Sequence, residues 1–414
     1  MNFMKKIVVS TALLAASLVY AGGFRVSLQG VKQLAMAHTS AHAEDASVAF
    51  FNPAGISFIP NKLSVAAGGF GINAEVEYQN LQTLESYKTD NPMGTPIYFA
   101  AAYKVLDNVS LGFSFATPYG STVKWPTDWA GKEIVQEIEL KALYFQPMVS
   151  FKLADWVSLG GSFIYAKGTV DWTKAVTQLG GTLNIKDDEA SGKGFGLGFY
   201  FRPTDKLDVS IAYRSPVDMK ADKGVATFNI SPSLYPLVGL NSSGQDNFKA
   251  VLPLVDEYTI GATYKVTPKW QVSGDFNYSG WDQYYALTLD FEKAPIGNQA
   301  SDPTVLITPK NWKSTKTWRV GTQYMFTDAL AGRLGYYHDE SPYADSDFSA
   351  ESPSFEANVI TGGIGYKWKG LGIDFSGAYN FQTPREVKNS FYNFNGQAKA
   401  KAYFFGLGLS YNAF

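Results

Sequence analysis

Gly370-Leu371-Gly372-Ile373-Asp374-Phe375-Ser376-Gly377-Ala378-Tyr379-Asn380-Phe381 alternates without a slip. Leu371, Ile373, Phe375, Gly377, Tyr379 and Phe381 share one face; Gly372, Asp374, Ser376, Ala378 and Asn380 share the other. A period of two belongs to a strand with one apolar face and one polar or small face. The pattern recurs at 156–168, 206–214 and 270–281. Alternating runs of ~10 residues fit strands that cross a bilayer. In lipid every backbone donor and acceptor must be paired, so such a sheet closes on itself.

Short turns at 106–108, 153–155, 203–205, 267–269, 326–328 and 369–370 alternate with long stretches near 73–94, 121–136, 174–191, 220–253, 293–311, 340–354 and 383–396. Short turns facing the periplasm and long loops facing outward are the habit of outer-membrane barrels. The count predicts an all-β, transmembrane antiparallel barrel of about 14 strands over 61–414. Both barrel ends then lie at the periplasmic mouth, where residues 22–60 can enter the lumen as a hatch.

Composition agrees. The 414 residues carry a net charge of −2, with 17% charged and 15% aromatic residues and 39 Gly. Soluble chains usually hold about 25% charged residues. The balanced charge leaves no basic footprint for nucleic acid. The absence of Cys excludes disulfides and thiol chemistry, and three His leave little for triad catalysis. No enzyme, cofactor or metal is expected. Ser191-Gly192-Lys193-Gly194-Phe195-Gly196 resembles a phosphate loop only superficially, because it opens a strand and lacks the Gly-Lys-Ser/Thr ending.

Lys5-Lys6, the apolar run 7–19 and Val19-Tyr20-Ala21 read as a signal peptide, residues 1–21, cleaved after Ala21. The mature chain is expected in the outer membrane of a Gram-negative cell. Residues 22–60 have no clean period, and small residues such as Ala35, Ala37, Ser40 and Ala43 dominate. They end in Phe50-Phe51-Asn52-Pro53-Ala54-Gly55. Asn can bond its own backbone and Pro fixes φ, which suits a rigid wedge. His38 and His42 lie four apart, but no third metal ligand is specified.

With these features the chain resembles the FadL/TodX family of outer-membrane hydrophobic-compound transporters from Gly22 to Phe414. Asn52-Pro53-Ala54 resembles the family's hatch motif. The run from Leu111 to Thr117-Pro118-Tyr119-Gly120 resembles its third strand, followed by Trp125 and Trp129. Tyr213-Arg214-Ser215-Pro216, Leu252-Pro253, Tyr278-Ser279-Gly280-Trp281 and Asp339-Glu340-Ser341-Pro342 match in order. One departure is Ser352-Pro353-Ser354-Phe355-Glu356, where the family has Pro-Asp and a following Arg; the ion pair made there is expected to be absent or replaced.

The resemblance implies passive uptake of a hydrophobic small molecule, most of all a long-chain fatty acid. Neutral hydrocarbons taken by the same route are the alternative, and a diffusion porin for polar solutes is the alternative of another class. It implies a monomer in outer-membrane lipid and lipopolysaccharide. Ligand would be caught on outer loops, held beside the hatch N-terminus near Phe24, and released sideways where Thr117, Pro118, Tyr119 and Gly120 kink the third strand. Arg214, Lys265 and Arg319 lie on polar strand faces, so they are candidates for a carboxylate in the lumen, or else braces of the barrel. The longest loop, 221–254, carries Phe228, Ile230, Leu234, Tyr235, Leu237 and Val238; an apolar loop over water suggests a capture platform, shared with the 174–191 loop. The last strand presents Tyr403, Phe405, Leu407, Leu409 and Tyr411 outward, a parity that Phe414 breaks, so an irregular end is expected.

Overall fold

The computed structural model describes residues 22–26 and 28–414; the expected signal peptide lies outside the described residues. Fourteen antiparallel strands close into one barrel. They are β1 (Leu63–Gln79), β2 (Ser86–Lys88 and Ile97–Leu106), β3 (Val109–Lys124), β4 (Glu137–Ala154), β5 (Val157–Val176), β6 (Gly181–Thr204) and β7 (Leu207–Arg214 and Val217–Asn229). They continue as β8 (Gln245–Leu254 and Glu257–Thr267), β9 (Trp270–Ser279 and Ala286–Phe291), β10 (Val305–Pro309 and Thr315–Met325), β11 (Leu330–Asp339), β12 (Ala357–Trp368), β13 (Leu371–Gln382 and Arg385–Asn389) and β14 (Phe394–Ala413). β1 pairs with β14 from Leu63↔Ala413 to Gln79↔Gln397, which removes both edges.

The alternation sets the two faces of the wall. On β13, Ile373, Phe375, Tyr379 and Phe381 are exposed, while Gly372, Ser376, Ala378 and Asn380 are buried. All six short turns fall where the sequence puts them. Several long loops do not. The 174–191 stretch is a hairpin that stays paired from Val170↔Asp187 to Val176↔Gly181 around a tip at Thr177–Leu179. The 221–254 stretch is likewise mostly strand, with the loop proper confined to 230–244. In both stretches the inner face stays buried, at Leu183, Ile185, Ala226 and Phe228, so the strands continue where loops were expected.

β14 ends at Ala413. Phe414 lies beyond the last pair with φ +64° and is 93% exposed, and its carbonyl accepts from Lys62 N at 2.8 Å. The left-handed turn accounts for the broken parity.

The segment before β1 lies inside the barrel. Its helices α1 (Val31–Leu34) and α2 (Val48–Phe51) have four residues each, too short to stand without packing. Ala35, Ala41, Ala43 and Ala46 are buried. Its polar groups bond to strands around the ring: Ala37 N to Thr361, Ser40 N to Asp275, Ala43 N to Tyr200, Ala46 N to Ser64. Wall glycines make the room. A Cβ on Gly321 would stand 2.5 Å from the Met36 carbonyl oxygen, and one on Gly335 2.4 Å from Ala37 N.

Candidate functional site

Asn52-Pro53-Ala54 is the anchor of the lumen segment. Asn52 is extended (φ −152°) and caps the turn Pro53–Phe58, its Oδ1 accepting from Ala54 N at 2.9 Å. Its Nδ2 donates to the Phe199 carbonyl (2.9 Å), Ser210 Oγ (2.9 Å) and the Ile211 carbonyl (3.2 Å). The Ala54 carbonyl accepts from Ser150 and Ser158. Gly160 and Gly198 are the counterpart in the wall: a Cβ there would lie 2.3 Å from Ala54 N and 2.0 Å from Asn52 Oδ1. Those two glycines were not singled out in the sequence; regular Gly spacing at 194, 196 and 198 was the signal available.

Charge in the lumen segment is paired partly with the wall, Arg25 with Glu257 at 3.7 Å and Asp339 at 3.6 Å, and partly within the segment. Lys32 contacts Asp45 at 2.6 Å and Glu44 at 3.4 Å. Burial would lower its ammonium, but the two carboxylates outweigh that and hold it above the ordinary value. Burial pushes the His42 imidazole down to about 4 and the His38 imidazole well below its usual range. His38 Nε2 faces Gln29 N and His42 Nε2 faces Thr39 Oγ1, so the two rings serve separate contacts. Among the described residues no three His, Asp or Glu groups gather to hold a metal ion.

The chain start meets β3 at the kink. Val26 N donates to the Pro118 carbonyl at 2.7 Å and Gly120 N donates to the Phe24 carbonyl at 2.9 Å. β2–β3 pairing ends at Tyr98↔Ala116, and the β3–β4 register slips between Ala116 and Tyr119. Thr117 Oγ1 makes the final β2 contacts, 3.2 Å from both N and O of Ile97. Pro118 has no N–H to give a neighbour. Residues 24–26 therefore take the ladder place on β3 that β2 leaves empty.

Phe24 is the floor of an apolar cavity of about 970 Å³, part of it open to solvent. Its ring packs 4.9 Å from Trp281 and 5.7 Å from Trp312. The walls include Ile138, Val170, Ile185, Met219, Leu252 and Leu289. The surface they present is almost wholly apolar. Glu351 also lines it, and its carboxylate is held by Lys310, which is itself buried. Burial pushes Glu351 up, but Lys310 outweighs this and keeps it below its usual range, so it stays ionised. Trp125 and Trp129 stack at 4.0 Å, and Trp125 Nε1 donates to the Ala350 carbonyl, tying the loop after β3 to the loop after β11. At the departure from the family pattern, Arg385 of β13 takes over: it pairs with Asp345 at 2.8 Å and donates to the Ser354 and Tyr343 carbonyls.

A second, polar chamber of about 630 Å³ lies on the other side of residues 25 and 26, lined by Arg25, His38, Phe50, Pro118, Arg214, Glu257 and Arg319 among others. Arg214 contacts Glu257 at 3.2 Å, donates to the Phe50 carbonyl at 2.8 Å and stacks 4.1 Å above the Phe50 ring. Arg319 donates to the His38 carbonyl at 2.9 Å. Both brace the lumen segment. Lys265 corrects the sequence reading: it is exposed and donates to the Asp205 carbonyl in the β6–β7 turn. Its inward parity was read correctly, but it lies two residues from the end of β8, at the periplasmic rim rather than beside the cavity.

The apolar loop residues are also placed differently than expected. Phe228, Ile230 and Val238 are buried, Leu234 and Tyr235 are partly buried, and Leu237 alone of these six stands out, at 70% exposed. The turn Pro232–Val238 packs its apolar side onto the neighbouring strands, because a Pro-rich 3₁₀ turn can bury one edge without a long helix.

The family described as outer membrane protein transport protein (OMPP1/FadL/TodX) matches residues 12–413. The chain belongs to this family. It is 25% identical over 391 residues to an outer membrane protein of Neisseria meningitidis, covering 84% of this chain and 82% of the relative. A Pseudomonas aeruginosa FadL homologue superimposes with TM-score 0.80 at 17% identity, over 94% of this chain and 99% of that one. The Pseudomonas putida toluene transporter TodX gives 0.71 at 14% identity, over 92% and 98%. The FadL/TodX chain described here is thus a β-barrel transport protein of the outer membrane.

Proposed function

We propose that this FadL/TodX-family chain carries small hydrophobic molecules, neutral ones foremost, from outside the cell to the kink in β3 and sideways into the bilayer. The observation that carries this reading is the apolar cavity resting on Phe24, beside the place where β3 loses its β2 partner. A hydrophobic ligand leaves water on entering the cavity, and Phe24, its floor, is hydrogen-bonded to Gly120 at the kink. The relatives point the same way, since one of the similar structures is a toluene transporter and another a monoaromatic hydrocarbon channel.

Lys310 is already paired with Glu351 and is not free to receive an acid in the cavity, which favours a neutral ligand there. The fatty-acid reading has support in the polar chamber, where Arg25, Arg214 and Arg319 gather. Binding of an alkane, its alcohol and its acid separates the two. For the neutral reading the alkane and alcohol bind tightly, the acid weakly, and Arg214→Gln or Arg319→Gln changes none of them selectively. For the acid reading each Arg variant weakens the acid alone by about 1.5–3 kcal/mol, the worth of a charge-assisted hydrogen bond. Mass spectrometry of lipophilic molecules that co-purify with the detergent-extracted protein would name the ligand.

A further inference from the structure

We propose that the barrel has a second lateral seam, between β6 and β7, through which the apolar cavity exchanges ligand with the outer leaflet of the bilayer. The seam is a break in the ladder. β6 pairs with β7 at Gly196↔Arg214 and at Lys186↔Val225, but between those points the register holds a single pair, Ser191↔Lys220. Phe195 and Ser215 add two bonds, Ser215 N to the Phe195 carbonyl and Phe195 N to Ser215 Oγ, both 2.9 Å. Residues 192–194 and 216–219 form no ladder pair with one another among the described residues. Pro216 brings no N–H to make one. On its other edge β6 stays joined to β5 from Val157↔Phe201 to Gly168↔Ala190, so the break is one-sided.

Two hollows meet back to back at this break. Ala190, Met219 and Ala221 face inward and line the apolar cavity. Ser191, Asp218 and Lys220, the alternate residues of the same strands, line a recess of about 810 Å³ on the outer surface together with Gly192, Lys193 and Pro216. What separates the hollows is close packing without ladder pairs: a Cβ on Gly192 would stand 2.5 Å from the Asp218 carbonyl oxygen and 2.6 Å from the Val217 side chain, and one on Gly194 2.7 Å from the Val217 side chain. A lipid-facing wall normally opens only by breaking backbone bonds that nothing in lipid replaces. Here the run of ladder pairs is already interrupted, so parting the strands costs less than where the ladder is intact. The level fits as well. Tyr165 lines the recess level with its ladder partner Lys193 and near Lys220, while Phe195 and Tyr213 are exposed or half-buried on the outer face just below. Aromatic rings followed by amines mark the edge of the apolar band, where a molecule dissolved in the upper acyl region would arrive.

This inference rests on the transport reading, and the test separates the two. The protein is reconstituted in nanodiscs, and 1-bromooctane is offered either dissolved in the lipid or from the water. With the outward-facing Trp156, Trp270, Trp318 and Trp368 replaced by Phe, filling of the cavity is followed by quenching of Trp fluorescence, since Trp172 and Trp312 line it. Ser191→Cys/Lys220→Cys places a disulfide across the one pair in the seam, and the chain has no other Cys to compete. The oxidised variant should fill several-fold more slowly from lipid, recover on reduction, and fill from water at the unmodified rate. Lys220→Phe, which crowds the recess and adds no fluorophore to the readout, should slow lipid-side filling too. Equal rates in oxidised and reduced protein, or equal slowing from both sides, would overturn the seam while leaving transport standing. If the unmodified protein shows no quenching from either side, the cavity reading falls and the seam with it.

Discussion

Asn52 carries more than its size suggests. One amide caps the turn of the lumen segment and also ties it to β6 and β7. Asn52→Ala leaves Ala54 N buried without its acceptor, which costs about 1–3 kcal/mol. The loss should show as faster hydrogen exchange at residues 48–58 with the barrel's own exchange unchanged; equal acceleration of the strands would mean Asn52 holds the barrel instead. His38 and His42 carry a different liability. Both have folded values depressed by burial, so the fold favours the neutral rings. Once exposed, each ring takes up a proton near its ordinary value of 6.5. The stability these rings allow is therefore complete above pH 6.5 and declines as pH falls toward about 4. Exchange at residues 36–44 should accelerate over that window, and His38→Gln/His42→Gln should flatten the response. A response unchanged in the double variant would clear both rings of it.

The kink in β3 depends on Pro118 and on the segment 24–26 that replaces β2 beside it. Pro118→Val/Gly120→Val offers β2 an N–H and a better strand former. Uptake should slow while the barrel folds and migrates normally; unchanged uptake would remove the kink from the route. For capture, the exposed Leu237 is the residue to change, since Val238 is buried and its substitution would disturb packing instead. Leu237→Ser removes up to about 1.5–3 kcal/mol of apolar contact with ligand. Uptake at low ligand concentration should fall, and a wild-type rate at every concentration would clear the loop of that role. Strands and turns could be read from the chain, because each rests on local periodicity or on local turn chemistry, while the roles given to Asn52 and to the bend at Pro118 leaned on the family resemblance. Lys265 and the loop residues could not be placed, because height along a strand and packing between loops depend on partners distant in sequence. The fit of Gly160 and Gly198 to the hatch motif was hidden for the same reason: a glycine shows its purpose only when its neighbour across the lumen is known.

The molecule as a whole is a ring whose lumen is filled by its own N-terminal segment. Removing residues 22–60 while keeping the strands should turn a poorly conducting protein into one with large, steady ion conductance in planar bilayers; large conductance in the intact protein would contradict a closing role for that segment. The ring also sets a schedule. The bond that closes it joins residues 63 and 413, nearly the whole chain apart, so it forms only after the last strand has been released. Until then β1 and β14 are bare edges, ready to pair with any other chain. A copy that lacks its last strand would thus be a growing end for aggregation.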